Sequence, residues 1–219
     1  ASVDAAGVWG GWEVDIAKAV CAAAELDCVI TPVAWDGIIP SLTGLQIDAI
    51  MASMSITEER MKTIDFSDAY YNTPAVIVAD KTADIAPTPE SLAGKIIGIQ
   101  ASTIHQAYAN AHFSTAAEIR VYQTQDEANQ DLVAGRIDAI QADSIAMGDF
   151  VASEVGACCE IKGPVVDDPA ILGAGVGAGV RKGDDALREK LNAGIAAIRA
   201  NGTHAEITSR YFTTSIFNK

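Results

Sequence analysis

Apolar positions along the chain switch repeatedly between a helical and a strand period. Val14, Ala17, Val20, Cys21 and Ala24 recur at helical spacing, and residues 28–33 then read as a strand. Asp36 is placed to cap a short helix running through Leu42, with Gly44 as its stop. Ile47-Asp48-Ala49-Ile50 predicts a buried strand, residues 57–62 a helical turn and residues 75–79 a strand. Thr88-Pro89-Glu90 opens a predicted helix, with proline in its first position and Gly94 closing it. Strands expected at residues 95–100, 119–122 and 137–142 alternate with helices at 103–111, at 126–134 and from Ser144. Leu187, Leu191, Ile195 and Ile198 mark one face of a further helix, capped by Asp184 and stopped by Asn201-Gly202. Strands alternating with helices predict the α/β class, with mostly parallel sheets flanked by helices. Residues 1–13 are small, Gly-rich and unpatterned, so the strand that normally opens such a domain is expected to be missing.

Composition narrows the function. A chain of 219 residues with 49% apolar residues can bury a core as one large or two small domains, and is not disordered. No apolar run approaches the roughly 18 residues that cross a bilayer. No basic stretch followed by an apolar one opens the sequence, as expected of a mature secreted chain without its signal peptide. A net charge of −14 argues against nucleic acid and anionic membrane surfaces as partners. The histidines are scattered, no pair of groups stands out as catalytic, and no cofactor motif is present. The ladder Gly173, Gly175, Gly177, Gly179 has a period of two rather than dinucleotide-loop spacing. In a strand it would put all four glycines on one face, open to close approach by backbone or ligand.

The four cysteines fall into two pairs. Cys21 closes a helical segment and Cys28 opens the next strand-like run, close enough for a disulfide and an oxidising compartment; two buried reduced thiols are the alternative. Cys158 and Cys159 are adjacent, with no histidine or further cysteine nearby, so no metal site is expected there. Free and joined forms of that pair both remain open.

One repeat carries the functional argument. Gly44-Leu45-Gln46-Ile47-Asp48-Ala49-Ile50-Met51-Ala52-Ser53 matches Gly135-Arg136-Ile137-Asp138-Ala139-Ile140-Gln141-Ala142-Asp143 after one deletion. Each copy is a helix stop, a turn, a buried strand and then a polar residue, so Ser53 superposes on Asp143. Ligands of open α/β sheets bind beyond the carboxyl ends of strands, which suggests two related lobes with equivalent polar groups. After Ser53 come Ser55 and Thr57, which can cap a helical turn, and then Arg60. A guanidinium beside hydroxyls and a helix start suits a carboxylate, and Asp143 suits an ammonium group. Taken alone, Arg60 also fits a surface salt bridge and Asp143 a helix cap.

These residues resemble the periplasmic polar amino-acid-binding proteins of ABC importers, solute-binding protein family 3, particularly the lysine/arginine/ornithine, histidine and opine group. The likeness runs through Gly11-Trp12-Glu13-Val14-Asp15-Ile16-Ala17, Trp35-Asp36-Gly37-Ile38-Ile39-Pro40-Ser41-Leu42, residues 47–60, Asp65-Phe66-Ser67-Asp68-Ala69-Tyr70-Tyr71, Gly98-Ile99-Gln100-Ala101-Ser102-Thr103, residues 135–143 and Arg210-Tyr211-Phe212. It implies a two-lobed periplasmic binding protein fold (type II). Lobe I would take residues 1–74 and 176–219, lobe II residues 75–175, with crossover strands near 73–76 and 173–176. The ligand set implied is Arg60 with Ser55 and Thr103 for the carboxylate, and Ser53 and Asp143 for the ammonium group. Trp35 would pack on the ligand side chain, and Ala52, Gln100 and Ser102 would line the same site. Ser102 stands where the family often has Gly, and Ile104 and His105 where it often has Thr and Gln. The resemblance also implies a Cys21–Cys28 disulfide, a free and preferably cationic amino acid as ligand, a membrane permease as partner, a monomer in the periplasm, and no enzymatic activity. Competing readings are a prephenate or arogenate dehydratase-like enzyme on the same fold and the sensor domain of a receptor.

Overall fold

Why the chain alternates becomes visible once its elements are placed. The computed structural model describes residues 2–3 and 9–212. The expectation of a missing first strand falls partly on residues 1 and 4–8, which, like 213–219, lie outside the described residues. The first half of the chain begins with β1 (Ser2–Val3), β2 (Trp9–Gly10), α1 (Trp12–Ala23) and α2 (Ile38–Thr43). It continues through β3 (Ala49–Ile50), α3 (Glu58–Met61), β4 (Ile64–Phe66), β5 (Ala75–Asp80), β6 (Ile96–Gln100) and α4 (Ile104–His112). Then follow β7 (Glu118–Tyr122), α5 (Gln125–Val133), β8 (Ala139–Asp143), α6 (Ser144–Ala152) and β9 (Cys159–Pro164). The remaining elements are α7 (Pro169–Leu172), β10 (Gly179–Arg181), α8 (Asp185–Ala200) and α9 (Thr203–Tyr211).

The chain divides into two compact units, one made of the described residues up to Asn72 and from Gly173 onward, the other of Thr73–Leu172. The second unit is built on a five-stranded sheet in the order β7-β6-β8-β5-β9. β6 runs parallel to β7 and β8, whereas β5 is antiparallel to both β8 and β9. β5 shows why its sequence is an unbroken apolar run. Ala75, Ile77 and Ala79 face one core with Ile97, Ile99 and Tyr108, while Val76 and Val78 face another with Ile140 and Phe150. A strand covered on both faces has no polar side to alternate with.

In the first unit β10 lies between β3 and β4 and runs antiparallel to both, so the parallel pairings belong to the other unit. Ile38 and Leu42 of α2 pack on Ile50, Met54, Ile64 and Phe66. The glycine ladder is strand only at its end, where Gly179 starts β10. Upstream, the backbone of residues 54–56 is laced to 174–177: Ile56 N–H donates to Gly175 O at 2.8 Å, Ala174 N–H to Ile56 O at 3.1 Å and Gly177 N–H to Met54 O at 3.2 Å. Gly173 has φ of 85°, and a Cβ there would sit 2.4 Å from Ile56 O. The ladder therefore admits another backbone, namely the segment leading to Arg60.

Two expected elements did not form. Residues 28–33 take no regular structure and pair with no strand among the described residues, and most are exposed. β-propensity without a neighbouring edge leaves a loop. Residues 88–94 make one turn instead of a helix, with Leu92 N–H donating to Thr88 O at 3.0 Å and Gly94 at φ 72°. The glycine ends the segment before a second turn can repay nucleation. Cys21 and Cys28 form a disulfide, with Cα atoms 6.2 Å apart.

Candidate functional site

In the first unit the candidate residues follow β3. The chain bends through half-buried Ala52 into Ser53, whose φ of 55° lies in the left-handed region. That conformation costs a non-glycine residue roughly 1–2 kcal/mol. Glu13 of α1 holds it there, accepting the Ser53 N–H at 2.6 Å and the Ser53 hydroxyl at 2.7 Å. The same carboxylate accepts the Tyr70 hydroxyl, and Glu13 and Tyr70 are both buried. Burial, then the Glu13 charge, raise the Tyr70 pKa well above the usual phenol value. Because Ser53 gives its only hydroxyl proton to Glu13, its Oγ is left as an acceptor toward anything else. An ammonium donor needs an acceptor.

In the sequence Glu13 stands out only as part of the motif at residues 11–17. The available signal was a carboxylate between Trp12 and Val14 at the start of an apolar helix face.

Arg60 lies in α3, whose N-cap Thr57 accepts the Arg60 N–H at 3.3 Å. Arg60 Nη1 donates to the carbonyl of buried Ser55 at 3.0 Å, and its Cζ sits 5.5 Å from the Trp35 ring centroid. Ser55 thus serves Arg60 through its main chain, not as a helix cap. Trp35 opens a 3₁₀ turn (Trp35–Gly37), and the cation it meets here is the protein's own. Burial lowers the guanidinium pKa to about 10, which still leaves it charged at neutral pH. No carboxylate pairs with Arg60 among the described residues. A partly desolvated cation met by one carbonyl and one ring face keeps donors that an anion could use. The expected helix N-terminus adds little, since α3 spans only 4 residues.

In the second unit, β6 and β8 are parallel neighbours with Gly98 opposite Ile140. That register puts Gln100 level with Ala142, so residues 101–103 and Asp143 emerge at the same, carboxyl, end of the sheet. Thr103 caps α4, its hydroxyl donating to Gln100 O at 2.8 Å and accepting the Gln106 N–H at 3.2 Å. Ser102 has φ of 59°, and its N–H donates to Gln106 Oε1 at 2.8 Å. The Gln100 side chain donates to Gln123 O at 3.3 Å. Asp143 ends β8 and caps α6, one oxygen accepting the Ile145 N–H at 2.8 Å and the other the Thr73 hydroxyl. These two donors fix its carboxylate in place. Thr73 had no sequence signal; its partner lies 70 residues away.

The aspartates inside the repeat have structural work in each unit. Asp138 accepts the Ile96 N–H at 2.8 Å, and Asp48 accepts from Arg181 at 2.9 Å. Among the described residues there is no cluster of metal-ligating side chains, and no helix is long and apolar enough to cross a membrane.

Known proteins resemble this chain over nearly its whole length. The model of bacterial extracellular solute-binding proteins, family 3, matches residues 1–214. The L-arginine-binding protein of Pseudomonas aeruginosa is 40% identical over 213 residues, covering 96% of this chain and 82% of that protein. The histidine-binding periplasmic protein of Escherichia coli is 40% identical over 209 residues, covering 94% of this chain and 80% of that one. Among solved structures, an ancestral arginine-binding protein bound to arginine superposes with a TM-score of 0.87 at 32% identity, covering 96% of this chain and 91% of that one. These relatives are named as binding proteins, and with them this chain stands as a binding protein, not an enzyme. It belongs to the bacterial extracellular solute-binding proteins of family 3.

Proposed function

We propose that the protein captures a free α-amino acid with a cationic side chain, arginine, lysine or ornithine, in the periplasm and delivers it as a monomer to the membrane permease of an ABC importer. The observation that carries this reading is Arg60, a partly desolvated cation with no carboxylate partner among the described residues. It takes the ligand carboxylate, assisted by Ser55 and Thr103. Ser53, whose Oγ is held as an acceptor, and Asp143 take the ammonium group. Trp35, Ala52, Gln100 and Ser102 line the remainder. Relatives named for arginine, histidine, and lysine/arginine/ornithine support an amino-acid ligand with a basic side chain.

If one ligand takes both half-sites, and the two sets of contacts exist together only in a closed form, linkage requires that binding shift the population toward that form. Isothermal calorimetry with arginine, lysine, ornithine, histidine and glutamate tests the ligand class. Arg60→Ala removes the carboxylate partner at an expected cost of roughly 2–5 kcal/mol, or roughly 30-fold to several thousand-fold in affinity. An Arg60→Ala protein that binds within a few-fold of the parent would remove the carboxylate assignment. Scattering curves that do not change when the parent is saturated would remove closure.

A further inference from the structure

Cys158 and Cys159 take no part in the proposed site. They stand where a 3₁₀ turn (Val155–Cys158) becomes β9, at the edge of the five-stranded sheet. Both are free thiols, Cys158 exposed and Cys159 buried, with their Sγ atoms 3.0 Å apart. The backbone around them is held on both sides. Lys81 N–H donates to Cys158 O at 3.0 Å, Lys81 Nζ donates to Ala157 O at 2.7 Å, and Cys159 is paired with Asp80 of β5. The backbone therefore holds the two residues in place, and from a separation of 3.0 Å the sulfurs need a movement of only about 1 Å to reach the ordinary S–S length.

We propose that Cys158 and Cys159 form a dithiol modification site, closed to a vicinal disulfide by exchange with a small soluble disulfide such as oxidised glutathione. The exposed Cys158, as thiolate, attacks one sulfur of the reagent. A Cys158–glutathione bond forms, the reagent S–S bond breaks, and one glutathione thiolate leaves. Cys159 then gives up its proton and attacks Cys158 Sγ, forming the Cys158–Cys159 bond and expelling the second glutathione. Two electrons pass from the cysteine pair to the reagent, and the two thiol protons end on two reduced glutathione molecules. The order of attack follows from access. It is reinforced by burial, which pushes the Cys159 thiol up to about 12, and a thiolate is the attacking species.

The product has a definite character. Consecutive Cα atoms are about 3.8 Å apart, short of the roughly 4.4–6.8 Å of ordinary disulfides, so the closed ring is strained and readily reduced. The Cys21–Cys28 bond, with Cα atoms 6.2 Å apart, lies within that range. One chain then holds a durable disulfide and a labile one.

The test equilibrates the full chain in graded ratios of oxidised to reduced glutathione, blocks remaining thiols with iodoacetamide and maps the peptides by mass. The peptide carrying both residues should lose two hydrogens and resist alkylation. Its reopening should need a glutathione ratio at least tenfold less reducing than Cys21–Cys28 does. Cys159→Ser should stop at a glutathione adduct on Cys158, and Cys158→Ser should leave Cys159 unmodified in the folded protein. The proposal is overturned if both thiols of the parent remain alkylatable at every ratio. It is equally overturned if the parent accumulates a Cys158 adduct beside a reactive Cys159, or a dimer linked through Cys158.

Discussion

Replacing Glu13 by Gln asks whether a buried carboxylate sets the polarity of the site. Glu13 accepts three hydrogen bonds, from Ser53 N–H, the Ser53 hydroxyl and the Tyr70 hydroxyl. A glutamine can keep its carbonyl at Oε1, where two of those donors converge. It puts an NH₂ at Oε2, so the Ser53 hydroxyl must turn round and accept. Three charge-assisted bonds become neutral ones, and the relief of burying no charge offsets part of the loss. The expected net cost is about 1–2 kcal/mol, a fall in Tm of about 2–8 °C. Glu13→Ala leaves donors with no acceptor and should cost more than about 3 kcal/mol. The larger effect of Gln is on binding. A Ser53 that accepts from the introduced amide NH₂ keeps one lone pair, but its proton is released from Glu13 and can turn toward the ligand ammonium, so one charge-assisted bond is weakened or lost. Affinity for arginine should drop by about 10- to 150-fold. Thermal unfolding and calorimetry on Glu13→Gln, beside Ser53→Ala, read both quantities. If Ser53→Ala weakens binding while Glu13→Gln stays within twofold of the parent, the orientation argument is wrong.

Three further outcomes are expected. Tyr70→Phe should be less stable than the parent by about 1–3 kcal/mol near neutral pH. Because folding raises the Tyr70 pKa, that gap is fully present below the usual tyrosine value of about 10 and should narrow as pH rises beyond it, as read by denaturant titration. Cleaving the Cys21–Cys28 bond, which closes a loop with a sequence separation of 7, should cost about 2.5 kcal/mol on the chain-entropy account, measured as a shift in urea midpoint. Gly173→Ala should destabilise by more than about 2 kcal/mol, since a positive φ and a Cβ 2.4 Å from Ile56 O must both be accommodated; an unchanged unfolding curve would contradict the close approach.

What could be read from the sequence was what depends on neighbours along the chain. α4, α5, α6 and α8 fall within about a residue or two of their expected bounds because each has its own cap: Thr103, Thr124, Asp143 and Asp184 all accept from a backbone N–H of the first turn. β5 and β6 are legible as apolar runs, and β7 from Ile119, Val121 and Tyr122. β9 is not, since Glu160, Lys162 and Gly163 interrupt it and its identity as a strand comes from pairing with β5. The strand expected at 28–33 failed for the converse reason, a suitable run with no edge to join. The repeat located the ends of β3 and β8, but it could not show what Ser53 and Asp143 bind locally. Glu13 reaches Ser53 across 40 residues and Thr73 reaches Asp143 across 70, separations that no local pattern reports. Trp35 was legible as a ring near the site, whereas its stacking on Arg60 depends on the turn that carries each residue.

The insertion of residues 73–172 between the two halves of the first unit bears on how the chain matures. The second unit is contiguous and can complete its sheet from its own residues. The first cannot: Trp12 Nε1 donates to Thr208 Oγ1, and Tyr211 donates to Asp15, each across 196 residues. A chain emerging from a translocation pore N-terminus first must therefore hold α1, with its apolar face of Ile16 and Val20, unpartnered until α8 and α9 arrive. Closing a flexible loop of roughly 100 residues costs about 4 kcal/mol of chain entropy. A folded insert removes most of that cost, because Tyr71 and Val176, bridged in the finished protein, then flank a compact body instead of a coil. Assembly should run from the middle of the chain outward, and the interval before the last helix arrives is when the protein most needs protection from aggregation and proteases.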